Sequence, residues 1–284
     1  MVSQNISIVS HYHPFSIDEL LDSIDNSKID ISTWIDEDDK EARKKLINAG
    51  KVLIAMFLLQ SERKEVFKND AICWYRHLRN AIITSGKTKS EIEKKLESLT
   101  IISFNYDRSL DYFLRTRLSD FYEKISSRII YPYGCLAQIK DWNKDKKDYS
   151  TIRYGYLETN SPNPKQRWEV FEEAKRIGEN DHLKVIGELT KEDEEQIQAK
   201  VLADCHLYFL GFAFHEDNCR VLGIDHKAFR SRPNLIDSRH ICYTNYGNSK
   251  KIEKSFDARF GKIGHSSDKG VYDALLKDFN FRLF

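Results

Sequence analysis

Glycine is scarce where a dinucleotide-binding protein would need it. The 284-residue chain holds 12 glycines, none before Gly50, and nowhere are two of them separated by a single residue. A tight Gly-x-Gly turn, which lets backbone N–H groups close around a pyrophosphate, is thus missing. Cysteine is sparse too. Cys73, Cys135, Cys205, Cys219 and Cys242 are odd in number and widely spaced, with no Cys-x-x-Cys. This excludes a four-cysteine zinc site and suits reduced thiols, so no metal is expected. No apolar run approaches the roughly 18 residues that span a bilayer. The opening MVSQNISIVSHYHPF lacks the basic and apolar regions of a signal peptide. A cytoplasmic location is expected, in which the Asn5-Ile6-Ser7 sequon is idle. Charge of one sign is also lacking. With 45 basic and 44 acidic residues the formal net charge is +1, so no global field draws the chain to nucleic acid or an anionic membrane.

What is present is a chain with 40% hydrophobic and 31% charged residues, long enough to bury a sizeable core. We expect a single domain over 1–284. Residues 15–98 read as mainly helical. Ser16 and Glu19 mark a helix start, residues 28–40 an acidic loop, and Ala42 to Gln60 a helix. Its Val52–Leu59 run is apolar almost all round and is expected to be deeply buried. Ala71 to Ile83 is a further helix.

From residue 99 the pattern alternates. Strands are expected at Leu99–Phe104, Arg128–Tyr133, Leu183–Ile186, Leu207–Gly211 and His240–Tyr246. Helices are expected at Arg108–Ile125, Glu192–Leu202 and Glu216–Phe229. Residues 141–180 read as a polar surface insertion, and Gly270–Leu283 as a final packed helix. Alternation of this kind over 99–247 predicts an α/β, Rossmann-like fold: a mostly parallel sheet with helices on both faces, followed by C-terminal helices over 248–284.

Ligands of open α/β sheets sit beyond the carboxyl ends of the strands, which directs attention to the residues just after each strand. In Ser103-Phe104-Asn105-Tyr106-Asp107-Arg108-Ser109-Leu110 a strand gives way at once to a helix. Asp107 can cap that helix, and Asn105 can present its amide to a ligand. Capping alone also accounts for the pattern. In Leu210-Gly211-Phe212-Ala213-Phe214-His215-Glu216-Asp217-Asn218, Gly211 would let a ligand approach the backbone. A plain strand-to-helix turn with a packed His215 is the competing explanation. Tyr131-Pro132-Tyr133-Gly134 reads as a strand and turn. Ser85-Gly86-Lys87-Thr88 lacks the earlier glycine of a nucleotide phosphate loop, since Ala81 stands there. His11-Tyr12-His13 has no acidic or cysteine partner nearby in sequence.

Taken in order, SIDELL, GKVLIAMFLLQSE, WYRHLRNAI, SFNYDRSLDYFL, IYPYGCL, LYFLGFAFHEDN and CYTNYG resemble sirtuin-like domains. The likeness covers about residues 15–247 and is nearest to the bacterial sirtuin-like proteins of anti-phage defence, many of which hydrolyse NAD. It implies NAD, or an ADP-ribose-like nucleotide, as ligand. Asn105 and Asp107 match the family's Asn-x-Asp at the nicotinamide end. Gly211 matches a glycine near the ribose or phosphate, with Gly134, Phe214 and Asn218 also expected around the nucleotide. The activity implied is NAD glycohydrolysis; the alternative is a degenerate module that binds a nucleotide or a partner without turnover. The resemblance also allows for a homo-oligomer and for a partner protein of a defence system.

Three departures stand beside the likeness. The family's first strand and Gly-Ala-Gly loop have no counterpart, so the chain reads as starting within a longer protein, with Ile6–Ser10 as a short replacement strand. The family's histidine base falls on Tyr133 or Tyr131, and a tyrosine of ordinary pKa about 10 is a poor base near neutrality. His215 is the substitute candidate. The zinc module of deacetylating sirtuins is absent, which argues against deacetylation.

Overall fold

The computed structural model describes residues 40–68, 73–136, 152–157, 163–180, 182–203, 206–224, 241–261, 264–279 and 281. The helix start at Ser16, the Ile6–Ser10 strand and the His11–His13 pair lie outside the described residues, as does most of the 28–40 loop. In chain order the helices and strands are α1 (Lys40–Ser61), α2 (Tyr75–Ile83), α3 (Lys89–Leu96), β1 (Ile101–Ile102), α4 (Ser109–Arg117), α5 (Tyr122–Ser126) and β2 (Ile129–Ile130). There follow α6 (Pro164–Glu179), α7 (Lys191–Ala203), β3 (Leu207–Phe209), α8 (Glu216–Leu222), β4 (Ile241–Thr244), α9 (Lys250–Phe260), β5 (His265–Ser267) and α10 (Val271–Asp273), the last running on as a π-helical turn. The fold is mixed α/β with small sheets. Among the described residues, no helix is long and apolar enough to cross a membrane.

The chain divides into two compact units, each assembled from separate stretches. The first takes residues 1–68, 102–116 and 131–189. Its framework is α1 packed along α6. Ala55 and Leu59 meet Val170, Ala174 and Ile177, with Leu136, Ile152, Leu157 and Leu183 closing the cluster. Gly178 brings the two helices together, since a Cβ there would lie 2.7 Å from the Val52 side chain. The expected polar insertion over 141–180 is corrected by this helix. Asn163 and Gln166 form a capping box around Pro164, which starts α6 in place. The expectation of a helix buried all round at Val52–Leu59 is corrected as well: Phe57 is 63% exposed and only Ala55 and Leu59 of that run are buried.

The second unit takes residues 69–101, 117–130 and 190–284. Its centre is a parallel sheet in the order β3-β4-β5. Leu207 pairs with Ile241, Phe209 with Tyr243, and Thr244 with Ser267. All four residues of β4 are buried, as a central parallel strand requires. The edge strand β5, His265-Ser266-Ser267, has no apolar or β-branched signature and was not legible as a strand. β1 and β2 form a separate two-stranded pair.

Several expected elements are shorter than their sequence patterns. The Arg108–Ile125 helix breaks at Leu118, whose backbone leaves the helical region, and resumes through a 3-10 turn into α5. The Glu216–Phe229 helix stops at Leu222 because Gly223 adopts φ 64° and closes it. Leu183–Ile186 makes a single antiparallel bridge, Leu183 to Gly134, and then a 3-10 turn instead of a strand.

Candidate functional site

Asn105, Asp107, Tyr133 and Gly134 belong to the first unit; Gly211, Phe214, His215 and Asn218 belong to the second. Each group is described within its own unit.

In the first unit the chain leaves β1 as the turn Ser103–Arg108. Tyr106 and Arg108 anchor it. The Tyr106 hydroxyl donates to the Lys184 carbonyl at 2.9 Å, and the Tyr106 carbonyl accepts from the Leu136 N–H at 2.8 Å. Arg108 is 1% exposed and forks onto Glu62. Its Nε donates to Oε1 and its Nη2 to Oε2, both at 2.7 Å. Nη1 donates to the Ile152 carbonyl at 3.3 Å, and the Gly155 N–H donates to Glu62 Oε2 at 3.0 Å. The ring of Tyr154 lies 5.9 Å from the guanidinium carbon. Asn105, just before the first anchor, is exposed. Asp107 Oδ1 accepts the Ser109 N–H at 2.9 Å and so caps α4.

Burial pushes the Glu62 carboxyl above its ordinary range. Arg108 and the Gly155 N–H oppose that shift, and the charge of Asp107 adds to it. The same surroundings raise the Cys135 thiol to about 12, through burial first and then the carboxylates of Asp111 and Asp107. Cys135 is therefore a protonated thiol and not a nucleophile near neutral pH.

Tyr133 is 4% exposed and packs its ring 5.7 Å from that of Phe104. Its carbonyl accepts the Lys184 N–H at 2.8 Å. Gly134 has φ +74°, and a Cβ there would sit 2.0 Å from the His182 carbonyl oxygen. The close approach of that carbonyl is what requires a glycine here. The Tyr131 carbonyl accepts the Gly134 N–H at 3.0 Å and closes the turn.

In the second unit the carboxyl ends of β3 and β4 lie side by side. The Gly211 N–H donates to Thr244 Oγ1 at 2.8 Å, with Thr244 only 4% exposed. Gly211 has φ +65° and, among the described residues, nothing lies within 4 Å of a Cβ built on it; Gly247, after β4, has φ +77° and is equally open among them. Asn245 Oδ1 accepts the Ser249 N–H at 2.9 Å and its Nδ2 donates to the Ser249 carbonyl, fixing the loop into α9. Tyr246 stands 79% exposed between them.

Phe214 points inward. It is 2% exposed and its ring meets those of Phe209, Phe212, Tyr243 and Phe256 at centroid distances of 4.9–5.8 Å. Its φ of +54° is unfavourable for a bulky residue. Such strain is of order 1–3 kcal/mol, and burial of the ring, worth about 1.5–3 kcal/mol, offsets it. His215 is exposed at the start of α8 and its side chain makes no capping hydrogen bond. Asn218 is half-buried on α8.

The residues absent from the sequence reading are Glu62, Arg108 and Tyr154 in the first unit, and Thr244 in the second. Glu62, Arg108 and Thr244 stand inside motifs already singled out, but nothing in the spacing gives them a role, and nothing marks Tyr154. The Ser85–Thr88 stretch is a turn in which Thr88 caps α3 by accepting the Glu91 N–H. Among the described residues no group of three or more His, Cys, Asp or Glu side chains is placed to hold a metal ion. No protein-family model, curated protein or solved structure matches the chain.

Proposed function

We propose that the chain is a sirtuin-like domain that takes NAD or an ADP-ribose-like nucleotide at the carboxyl edge of its three-stranded parallel sheet. Gly211 carries this reading. Its positive φ and the open space beside its Cα leave room for a ligand against the backbone, at the edge where parallel sheets take nucleotides. Tyr246, two residues past β4, is exposed and would offer an aromatic face for stacking on a base. The test is titration calorimetry with ADP-ribose and NAD on the natural chain and on Gly211→Ala. The added methyl meets nothing within 4 Å among the described residues, and its left-handed backbone costs about 1–2 kcal/mol, so the variant is expected to stay folded. Its affinity is expected to fall about tenfold or more, roughly 1.4 kcal/mol. Equal affinity in a folded variant, or no binding by the natural chain, overturns the reading.

Turnover is the second reading, favoured by the exposure of Asn105 next to the anchored Tyr106. Water would add to the ribose carbon bearing nicotinamide, the carbon–nitrogen bond would break, nicotinamide would leave with the electron pair, and the water's proton would pass to solvent. Asn105 would position the water or the ribose, and Asp107 would hold the carboxamide. The burial of Tyr133 argues against its phenol as the base. Nicotinamide release by the natural chain, lost in Asn105→Ala, is the expected result; no release from the natural chain leaves a binding module without turnover. By the same resemblance, a hydrolase of this kind would act in anti-phage defence through NAD depletion.

A further inference from the structure

We infer that the outer face of α6 is a homodimer interface, on which a second copy of this chain lays its own α6 antiparallel, whether or not a nucleotide is bound.

α6 has two faces. Val170, Ala174 and Ile177 are buried in the cluster shared with α1. On the outer side Trp168 is 61% exposed, so an indole leaves a large apolar surface in water. Its ring meets that of the half-buried Phe171 at 5.4 Å between centroids. With Pro164 and Arg167 the two rings line an open recess of about 550 Å³. Pro164, Trp168, Phe171 and Lys175 recur at spacings of four, three and four residues. That spacing is the seam of a helix that packs along another helix.

The charges select the occupant. Lys165 and Arg167 stand in the first turn of α6, which carries no acidic residue, although the positive end of a helix favours acids. Exposed acids come later, at Glu172 and Glu179. Lys165 reaches Glu169 on its own helix at 3.9 Å, with the lysine 84% exposed, and such surface pairs are worth little. An antiparallel copy brings acids to the basic end. A twofold axis beside residues 169 and 170 sets Trp168 against the second copy's Phe171, and Pro164 against its Lys175, each contact occurring twice. Lys165 and Glu172 flank the seam on the same side, seven residues apart. In this pairing like sides of the two helices meet, and Lys165 comes within reach of the second copy's Glu172. A nucleic-acid strand, the other ligand of basic and aromatic surfaces, is disfavoured by Glu169 and Glu172 on α6. An interface of one helix pair is small, so the dimer is expected to be weak, with a micromolar dissociation constant.

The test is sedimentation velocity on the full chain up to about 100 μM, well above such a constant. The natural chain is compared with Trp168→Ala, Lys165→Glu, Glu172→Lys and the double variant Lys165→Glu/Glu172→Lys. All three positions are exposed, so the variants are expected to fold. The natural chain is expected to pass from monomer to dimer across this range. Trp168→Ala should raise the dissociation constant about thirtyfold or more, ~2 kcal/mol, as for a residue at the centre of an interface. Each single reversal sets like charges together and should weaken the dimer; the double variant exchanges the signs and should restore it. A natural chain that stays monomeric, a dimer indifferent to Trp168→Ala, or a double variant no tighter than the single reversals overturns the inference. None of these results depends on NAD or ADP-ribose binding, so the nucleotide reading stands or falls separately.

Discussion

Arg108→Ala is expected to lower folding stability by about 3–5 kcal/mol, the usual cost of removing one partner of a buried ion pair. Glu62 would keep its place, with its side chain 2% exposed and only the Gly155 N–H still donating to it among the contacts described above. The loss should appear in urea melts as a lower midpoint with an unchanged slope. Its pH dependence follows from the direction of the Glu62 shift. The folded-state pKa already lies above the ordinary 4.5, so the folded state binds the proton more tightly than the unfolded one. The contribution from this group is complete below 4.5 and is lost as pH rises through the folded value. Without Arg108 that value rises further. The deficit of the variant should be largest near neutrality and shrink in acid, where a protonated carboxyl tolerates burial. A deficit under about 1 kcal/mol at neutral pH would mean that Glu62 regains water, contrary to the packing described.

Gly134→Ala is expected to be comparably damaging, on the order of 3–5 kcal/mol, by backbone strain and collision together. The left-handed backbone alone costs an alanine about 1–2 kcal/mol. The methyl would then lie 2.0 Å from the His182 carbonyl oxygen and 3.0 Å from its carbon. These are main-chain atoms and cannot swing aside. The bridge between Gly134 and Leu183 must part, and with it the Lys184 N–H to Tyr133 bond, at about 1 kcal/mol for such a bond. Thermal melts of this variant beside Gly211→Ala make the comparison direct. The two glycines share a positive φ, yet only one has a carbonyl against it. Similar melting temperatures for the two variants would show that the 131–136 turn can move.

The two glycines also show where sequence reading stops. Both stand after strand-like runs, and both were expected near a nucleotide. Sequence could not separate a glycine required by a neighbouring carbonyl from one facing open space, because His182 is remote in the chain from Gly134. Two helices were legible without their caps: Ala42 to Gln60, read from its apolar spacing, lies within α1, and Glu192–Leu202 within α7. The α6 helix was hidden by its charged surface, although Asn163, Pro164 and Gln166 spelled its start. β5 was hidden because an edge strand needs little apolar content. At the site, the capping role of Asp107 was legible from local spacing. The Glu62–Arg108 pair was not, since the partners lie 46 residues apart and a buried charge reads in sequence like a surface one. Phe214 carried the motif but spends its ring on the core.

The chain passes from one compact unit to the other five times along its length. This has a consequence for biosynthesis. Domains commonly fold as units, N-terminal first, while the ribosome is still adding residues. Here that order is closed off. The first unit waits for residues up to Leu189, because α1 finds its packing partner only when α6 has been made. The second begins at Asn69 and ends with the chain. Neither can be excised as one continuous fragment. A nascent chain halted between 69 and 163 would expose the apolar face of α1 with no α6 to cover it, making that interval the one most in need of a chaperone.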